Sequence, residues 1–232
     1  MKNSIWLIAA FALTVTAAPV SAATVSGKVL FEGDPPAPKP INFGAEKQCA
    51  TMHGDHLPVN EEIVINPDKT VKWALVYVKD APKSAAAPAE AVEIDQKGCM
   101  FIPHVVAARV GQKVTFKNGD PMLHNVRSEA KTNKPFNIAQ PIQGMTTSKT
   151  FDKPEIGIKM RCDVHFWMAS YIHVLDNGFY AVTGDDGRFE IKDLPAGTYT
   201  LELWHEKLGT RTAQVTVAAS DAKTADFTLK AA

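Results

Sequence analysis

One short segment carries three side chains that can bind a soft metal. Cys162, His165 and Met168 follow one another at intervals of three residues, and His124 lies upstream. Two imidazoles, a thiolate and a thioether form the ligand set of a blue-copper electron-transfer site, in which the thioether is the weak axial ligand. The four side chains therefore predict one bound copper ion that changes between Cu(II) and Cu(I).

The same residue types also have simpler interpretations. Cys162 beside His165 could be an inert core thiol, or a nucleophile with its base. A nucleophile would need an orienting group and an oxyanion hole, and the sequence identifies neither. Met168 by itself would be core filler. The order and spacing of all four donors favours the metal site.

The first 22 residues have the pattern of a secretory signal peptide. Lys2 supplies the positive start, the stretch from Ile5 to Val15 is apolar, and Val20-Ser21-Ala22 is a small-residue cleavage site. No later stretch approaches the roughly 20 apolar residues of a membrane-spanning helix. We therefore expect a periplasmic or secreted protein without a membrane span.

The charge of the chain excludes one class of partner. Without Lys2, 24 basic side chains stand against 25 acidic ones, a net charge of −1 with histidine neutral. Nucleic-acid binding normally requires a basic surface. We therefore expect no nucleic-acid partner.

The number of cysteines bears on the metal prediction. An exported chain meets an oxidising environment in which cysteines can pair. If Cys162 is a copper ligand it must remain a free thiolate, and Cys49 and Cys99 are then left to form a disulfide. An alternative is a second metal site that draws on five further donors. These donors are Cys49, His53, His56, Cys99 and His104.

Short strands separated by turn residues dominate the chain and predict an all-β fold. Apolar residues alternate with other residues from Val110 to Phe116 and from Tyr199 to Trp204. The segments Glu62–Pro67 and Val71–Lys79 read as a hairpin, because turn residues separate two runs rich in β-branched side chains. Residues 131–145 read as a long irregular loop.

The middle of the chain, residues 91–176, resembles the cupredoxins, most closely the amicyanin-like and plastocyanin-like branch. The resemblance implies a Greek-key β-sandwich that holds one type 1 copper ion. It implies His124, Cys162 and His165 as equatorial ligands and Met168 as the axial ligand. Asn125 would hydrogen-bond to the Cys162 loop and orient it. The matching segments are Phe101-Ile102-Pro103, residues 110–116, the turn 118–120, His124-Asn125-Val126 and the loop 162–168.

The C-terminal residues 179–230 resemble the carboxypeptidase regulatory-like domain, a small transthyretin-like β-sandwich, through the turns in Val182–Phe189 and Leu194–Tyr199. The segment Val25–Pro36 has a similar character, so the N-terminal strands are candidates for the same sandwich. The predicted division is a signal peptide (1–22), an N-terminal β segment (23–90), a cupredoxin domain (91–176) and a C-terminal sandwich (177–232).

These features predict an electron carrier and not an enzyme. The expected partners are redox proteins, such as a cytochrome or a periplasmic oxidoreductase. Phe166 and Trp167 flank His165; they form an apolar docking patch if they are exposed, or Trp167 packs beneath the site. Two other classes stay open: a copper-delivery module without redox turnover, and a structural β protein with a fortuitous motif.

Overall fold

The computed structural model describes residues 22–83 and 86–231. The predicted signal peptide, apart from Ala22, lies outside these residues. Strands account for nearly all of the regular structure, and the predicted all-β class is confirmed. The elements are β1 (Ala23–Glu32), α1 (Lys47–Thr51), β2 (Leu75–Val78), β3 (Val92–Gln96), β4 (Phe101–Ile102), β5 (Val105–Arg109), β6 (Lys113–Asn118), β7 (His124–Ser128), β8 (Asn137–Gln140), β9 (Thr146–Thr150), β10 (Glu155–Arg161), β11 (Ala169–Leu175), β12 (Tyr180–Val182), β13 (Arg188–Leu194), β14 (Gly197–His205), β15 (Gly209–Val217), β16 (Ala222–Thr224) and β17 (Phe227–Lys230).

Strands from both ends of the chain form one unit, which we call the terminal sandwich. One sheet has the order β13-β1-β16, with β17 also paired to β1, and the other has the order β12-β2-β14-β15. Side chains of β1 and β14 alternate between buried and more exposed positions, as expected for sheets that each bury one face. The buried core between the two sheets consists of aliphatic and aromatic side chains.

Strands β3 to β11 form a second unit, the central sandwich. Its sheets have the orders β5-β11-β10-β7-β8 and β4-β3-β6-β9. The core between them contains apolar side chains together with several sulfur-containing residues. These residues are Cys49, Cys99, Met160, Cys162 and Met168.

The two sandwiches meet along β2, in which all four residues are buried. Alternate side chains of a strand point to opposite faces of its sheet. Val76 and Val78 accordingly belong to the core of the terminal sandwich, whereas Leu75 and Tyr77 pack with Leu175 of the central sandwich. The contact surface therefore continues from one hydrophobic core towards the other.

Polar and aromatic contacts extend this interface. His104 of the central sandwich pairs with the carboxylate of Glu206 in the terminal sandwich, and both side chains are buried. The His173 ring lies against Trp204, with ring centroids 4.5 Å apart. The backbone of Gly157 has φ +74°, and an added Cβ would lie 3.2 Å from the Trp204 ring. This glycine permits both the left-handed conformation and the close approach.

Two local predictions need correction, and one helix was not predicted. Glu62–Pro67 is not a strand and shares only a single bridge, Ile65 to Val71, with its predicted partner. The predicted loop 131–145 contains β8, which pairs with β7. Helix α1, which no sequence pattern indicated, carries Cys49.

No helix within residues 22–83 and 86–231 is long and apolar enough to cross a membrane. The positions of the domain boundaries stay predictions. The strand pairing nevertheless joins β1 and β2 to strands that begin at Tyr180 or later.

Candidate metal centre

Three of the four predicted ligands lie on the loop that joins β10 to β11. The two strands are antiparallel, and Arg161 faces Ala169 at the mouth of the loop. The Cys162 N–H donates to the Met168 carbonyl at 3.3 Å, and the Met168 N–H donates to the His165 carbonyl at 2.9 Å. These bonds fold the loop back on itself, so its donors are held by the two strands.

His124 begins β7, the neighbour of β10 on the other side. The Arg127–Arg161 pair sets the register of these strands and brings the start of β7 to the β10–β11 loop. The Nδ1 atoms of His124 and His165 are 2.9 Å apart. The ligand atoms of His124, Cys162 and His165 all lie within 4.8 Å of one another. The structure therefore brings His124 next to Cys162, although the two residues are 38 positions apart in the sequence.

The four predicted ligands are withdrawn from solvent. Relative exposure is 0% for His124, 1% for Cys162, 2% for His165 and 1% for Met168. Met168 belongs to the same buried cluster as Cys162 and closes the loop through its backbone. A polar group buried in this way is costly unless it has a partner. Three polar donors facing one another inside a core are consistent with a shared ion.

The environment of Cys162 favours its thiolate form. Burial raises the pKa of this thiol, but hydrogen bonds from His124, His165 and two backbone N–H groups outweigh burial and lower the pKa to about 6. The backbone donors are the N–H groups of Asn125, at 3.5 Å, and of His165, at 3.4 Å from the sulfur. Because thiolate is the form that binds metals, the environment of Cys162 suits a soft metal ion, whose binding displaces the ring N–H protons that now face the sulfur.

Asp120 holds the second nitrogen of His124. Its carboxylate lies 3.0 Å from Nε2 of His124 and also accepts the backbone N–H groups of Gly98 and Cys99, at 2.8 and 2.7 Å. Burial raises the pKa of Asp120, but these hydrogen bonds outweigh it and lower the pKa. A carboxylate that accepts a hydrogen bond from the Nε2–H group leaves Nδ1 as the His124 nitrogen that can bind a metal.

Asn125 hydrogen-bonds to the cysteine loop, as expected. Its side-chain oxygen accepts the Asp163 N–H at 2.6 Å and lies 3.3 Å from the Cys162 sulfur. Its side-chain nitrogen donates to Asn137 at 2.7 Å. The amide therefore ties the loop to both β7 and β8.

A segment from outside the predicted cupredoxin region covers the site. Cys49 of α1 forms a disulfide with Cys99, and both sulfurs lie within 4.8 Å of a His165 ring nitrogen. Phe43 packs edge-on against Trp167, and His53 Nε2 lies 2.7 Å from the Gly98 carbonyl oxygen. We call residues 40–59 the cap. The predicted Cys49–Cys99 disulfide is confirmed.

The histidines of the alternative metal site do not converge. His104 contacts Glu206 and the Ala169 carbonyl, and His56 is exposed. Among the described residues, no cluster of potential metal donors includes His53, His56 or His104. The five-donor site therefore does not form in this structure.

Phe166 and Trp167 differ in exposure: Phe166 faces solvent, whereas Trp167 packs beside the site. Phe166 is 82% exposed, beside Val164 at 44%. Trp167 is half-buried, lies against the His165 ring with centroids 5.3 Å apart, and donates its indole N–H to the Cys99 carbonyl at 3.0 Å. Phe166 thus presents apolar surface, whereas Trp167 packs over His165.

Sequence reasoning missed two parts of this site. Asp120 lies in an Asn-Gly-Asp-Pro sequence, which indicates only a turn. Its position four residues before His124 was the one signal that its carboxylate could contact that imidazole. The cap begins 84 residues before His124, and the proline-rich stretch before it is typical of a connector. Only the odd number of cysteines linked this segment to the site.

Several solved structures are similar to part of this chain. The copper-containing nitrite reductase of Thermus scotoductus is 24% identical, with a TM-score of 0.36, over 42% of this chain and 25% of its own, so this chain spans a quarter of the reductase. A purple cupredoxin of Nitrosopumilus maritimus is 22% identical, with a TM-score of 0.32, over 36% of this chain and 99% of its own. Amicyanin of Paracoccus versutus is 22% identical, with a TM-score of 0.33, over 43% of this chain and 97% of its own.

No curated protein matches the chain. Residues 172–230, which run from within β11 to the end of β17, match the family model of the carboxypeptidase regulatory-like domain.

Proposed function

We propose that this protein is an exported copper protein that carries single electrons between redox partners. The observation that supports this most directly is the convergence of His124, Cys162 and His165, whose donor atoms lie within 4.8 Å of one another in a buried site. Met168, buried in the same loop, would be the axial ligand. One copper ion held by this set supplies a one-electron Cu(II)/Cu(I) couple.

The protein contributes fixed donors and a dry environment. Asp120 and Asn125 hold His124 and the Cys162 loop by hydrogen bonds, so the donors keep their positions when the charge of an ion changes. The sandwich adds rigid strands on both sides of the loop. Such pre-arrangement is the usual requirement for a precise metal site.

Partner contact is proposed at the end of the sandwich that carries the site. Leu123, Val164 and Phe166 are 45%, 44% and 82% exposed and adjoin His124 or His165 in sequence. Exposed apolar side chains around a buried functional group are typical of protein contact surfaces. The partner would be a redox protein such as a cytochrome or a periplasmic oxidoreductase, and the chain itself would not be an enzyme.

Export is proposed from the signal-peptide pattern of residues 1–22, and it agrees with the buried disulfide, a bond typical of proteins in oxidising compartments. The alternative, a copper-delivery module without redox turnover, draws on the same donors. A delivery module differs from an electron carrier because it must release its copper ion to another protein.

The deciding experiment is a visible and paramagnetic-resonance spectrum of the copper-loaded, oxidised protein. An electron carrier gives an intense thiolate-to-Cu(II) absorption and reversible one-electron reduction with the ion retained. A colourless complex that loses copper readily supports delivery. Absence of copper uptake contradicts both.

Two substitutions sharpen this test. Cys162→Ala removes the thiolate, so the intense absorption should disappear. Met168→Leu preserves volume and removes only the weak ligand, so the absorption should persist while the reduction potential rises. Retained colour in the alanine variant would refute the ligand assignment.

A further inference from the structure

A second set of soft donors lies directly beside the proposed copper centre. The sulfurs of Cys49 and Cys99 and a ring nitrogen of His165 all lie within 4.8 Å of one another. Both cysteines are fully buried, and they are joined as a disulfide. The disulfide therefore lies in direct contact with the proposed metal centre and is not a distant cross-link.

A thioether faces the same two sulfurs. Met122 Sδ lies 3.4 Å from the Cys99 sulfur and 3.9 Å from the Cys49 sulfur. A disulfide linking two segments needs only its two sulfurs, yet a thioether and an imidazole surround this one. Thiolate, thioether and imidazole together are the donors that select Cu(I) over harder cations.

We propose that in the dithiol state Cys49, Cys99 and Met122, together with His165, form a second copper site that binds Cu(I). The site exists only when the disulfide is open, because a disulfide sulfur carries no thiolate charge. It shares His165 with the proposed electron-transfer centre but does not require that centre to undergo redox turnover.

The opening step balances with a dithiol as reductant. Two electrons and two protons pass to the sulfur pair, the S–S bond breaks, two S–H bonds form, and the reductant becomes a disulfide. Cu(I) then replaces the two thiol protons and, when the other nitrogen of the shared His165 ring already holds an ion, the remaining ring N–H proton as well. These protons are released to water, and the oxidation state of copper does not change. Exchange with an added disulfide runs the first step in reverse: the added disulfide takes up two electrons and two protons, the Cys49–Cys99 bond forms again, and Cu(I) is released.

The fold provides a path for this change. Cys49 lies on the five-residue helix α1, within the cap. With the disulfide open, only noncovalent contacts hold the cap to the central sandwich: the packing of Phe43 and its apolar neighbours against the central core, and the His53–Gly98 hydrogen bond. A segment without a covalent link opens locally more often. A copper ion can then reach sulfurs that are buried in the disulfide form.

The test compares two forms of the full chain. The dithiol form is prepared by unfolding in a dithiol reductant and refolding without oxygen, and free thiols are counted in both forms. Each form is titrated with Cu(I) against the chromogenic chelator bicinchoninate. We expect one Cu(I) to resist the chelator in the disulfide form and two in the dithiol form. The same number in both forms overturns the proposal.

Two variants separate this proposal from the proposed function. Cys162→Ala removes a ligand of the first centre only, so its dithiol form should still gain one Cu(I) over its disulfide form. If the wild-type disulfide form binds no copper, the proposed function fails while this gain can stand. Met122→Leu retains volume and the disulfide, and should weaken binding of the second Cu(I) by about tenfold or more, since a metal site loses at least this factor when even an outer-shell partner is removed. Unchanged affinity in Met122→Leu overturns the four-donor set.

Discussion

The two sandwiches share an architecture but differ in what they bury. The terminal core contains aliphatic and aromatic side chains, whereas the central core contains all three cysteines of the chain. Next to these cysteines the central sandwich buries His124, Asp120 and Asn125. Apolar packing stabilises a fold directly, while buried polar groups must each be offset by partners. The difference fits a terminal sandwich that mainly contributes stability and a central sandwich whose buried polar groups carry an energetic cost that the proposed metal site would explain.

The largest expected effect comes from the terminal core. Leu201 is fully buried on β14, and Leu201→Ala should lower the free energy of unfolding by about 2–5 kcal/mol, because a cavity replaces packed methyl groups. Copper content and colour per folded molecule should not change. Denaturant unfolding followed by fluorescence measures the first, and absorption the second. A loss of colour without loss of stability would contradict the division between the two cores.

Removing the disulfide should affect both stability and metal retention. Cys49→Ala with Cys99→Ala should lower the free energy of unfolding by about 2–4 kcal/mol, as is typical of such bonds. The cap then opens more often, so a chelator should extract copper at least about tenfold faster. Extraction is followed by loss of absorption, and opening by amide hydrogen exchange of residues 43–56. An unchanged extraction rate would show that the cap does not limit access.

Acid should weaken the protein through His173, which is fully buried. Desolvation lowers its pKa from 6.5 to about 3. The unfolded state therefore binds more protons below about pH 6.5, so stability falls as pH falls, by about 1.4 kcal/mol per pH unit for this one proton.

A matched variant isolates this effect. His173→Gln can still accept the Gly157 N–H, which now binds Nδ1 at 3.1 Å, but it does not titrate. Its unfolding free energy should depend less on pH between 6.5 and 4 than that of the metal-free wild type. Parallel curves for the two proteins would show that another group controls acid stability.

The smallest expected change in stability is at the exposed end of the metal loop. Phe166→Ser should change the free energy of unfolding by no more than about 0.5 kcal/mol, because this side chain is 82% exposed. If the apolar surface contacts a redox partner, the rate of electron transfer to that partner should fall. Lys131→Ser, an exposed change away from the loop, serves as the control. Equal rates would place partner contact elsewhere.

The sequence contained the local part of the site. The even spacing of Cys162, His165 and Met168 requires only a loop between paired strands, and the structure has that loop. The cysteine count also led to the Cys49–Cys99 bond. These inferences succeeded because they depend on chemistry within a few residues or on elimination.

Contacts between distant segments could not be predicted in the same way. The Asp120 carboxylate contacts both the His124 ring and the backbone N–H of Cys99. Nothing in the turn sequence around Asp120 indicates its contact with Cys99. Strand β8 has the sequence Asn-Ile-Ala-Gln, with a single β-branched residue, and it forms because β7 offers an open edge. Tertiary pairing of this kind overrides local preference.

The pairing of β1 sets an order in which the molecule can assemble. Val25 of β1 lies opposite Ile191 of β13, and Val29 of β1 lies beside Phe227 of β17. Strand β1 therefore cannot complete its pairing until β13 and β17 have been synthesised. Strands β3 to β11 find all their sheet partners among themselves and can associate while the chain is still emerging. The contacts of β1 with β13 and β17 span a long sequence separation, and contacts of this kind form slowly. The proposed metal site can therefore form in the central sandwich before β1 has paired with β13, β16 and β17.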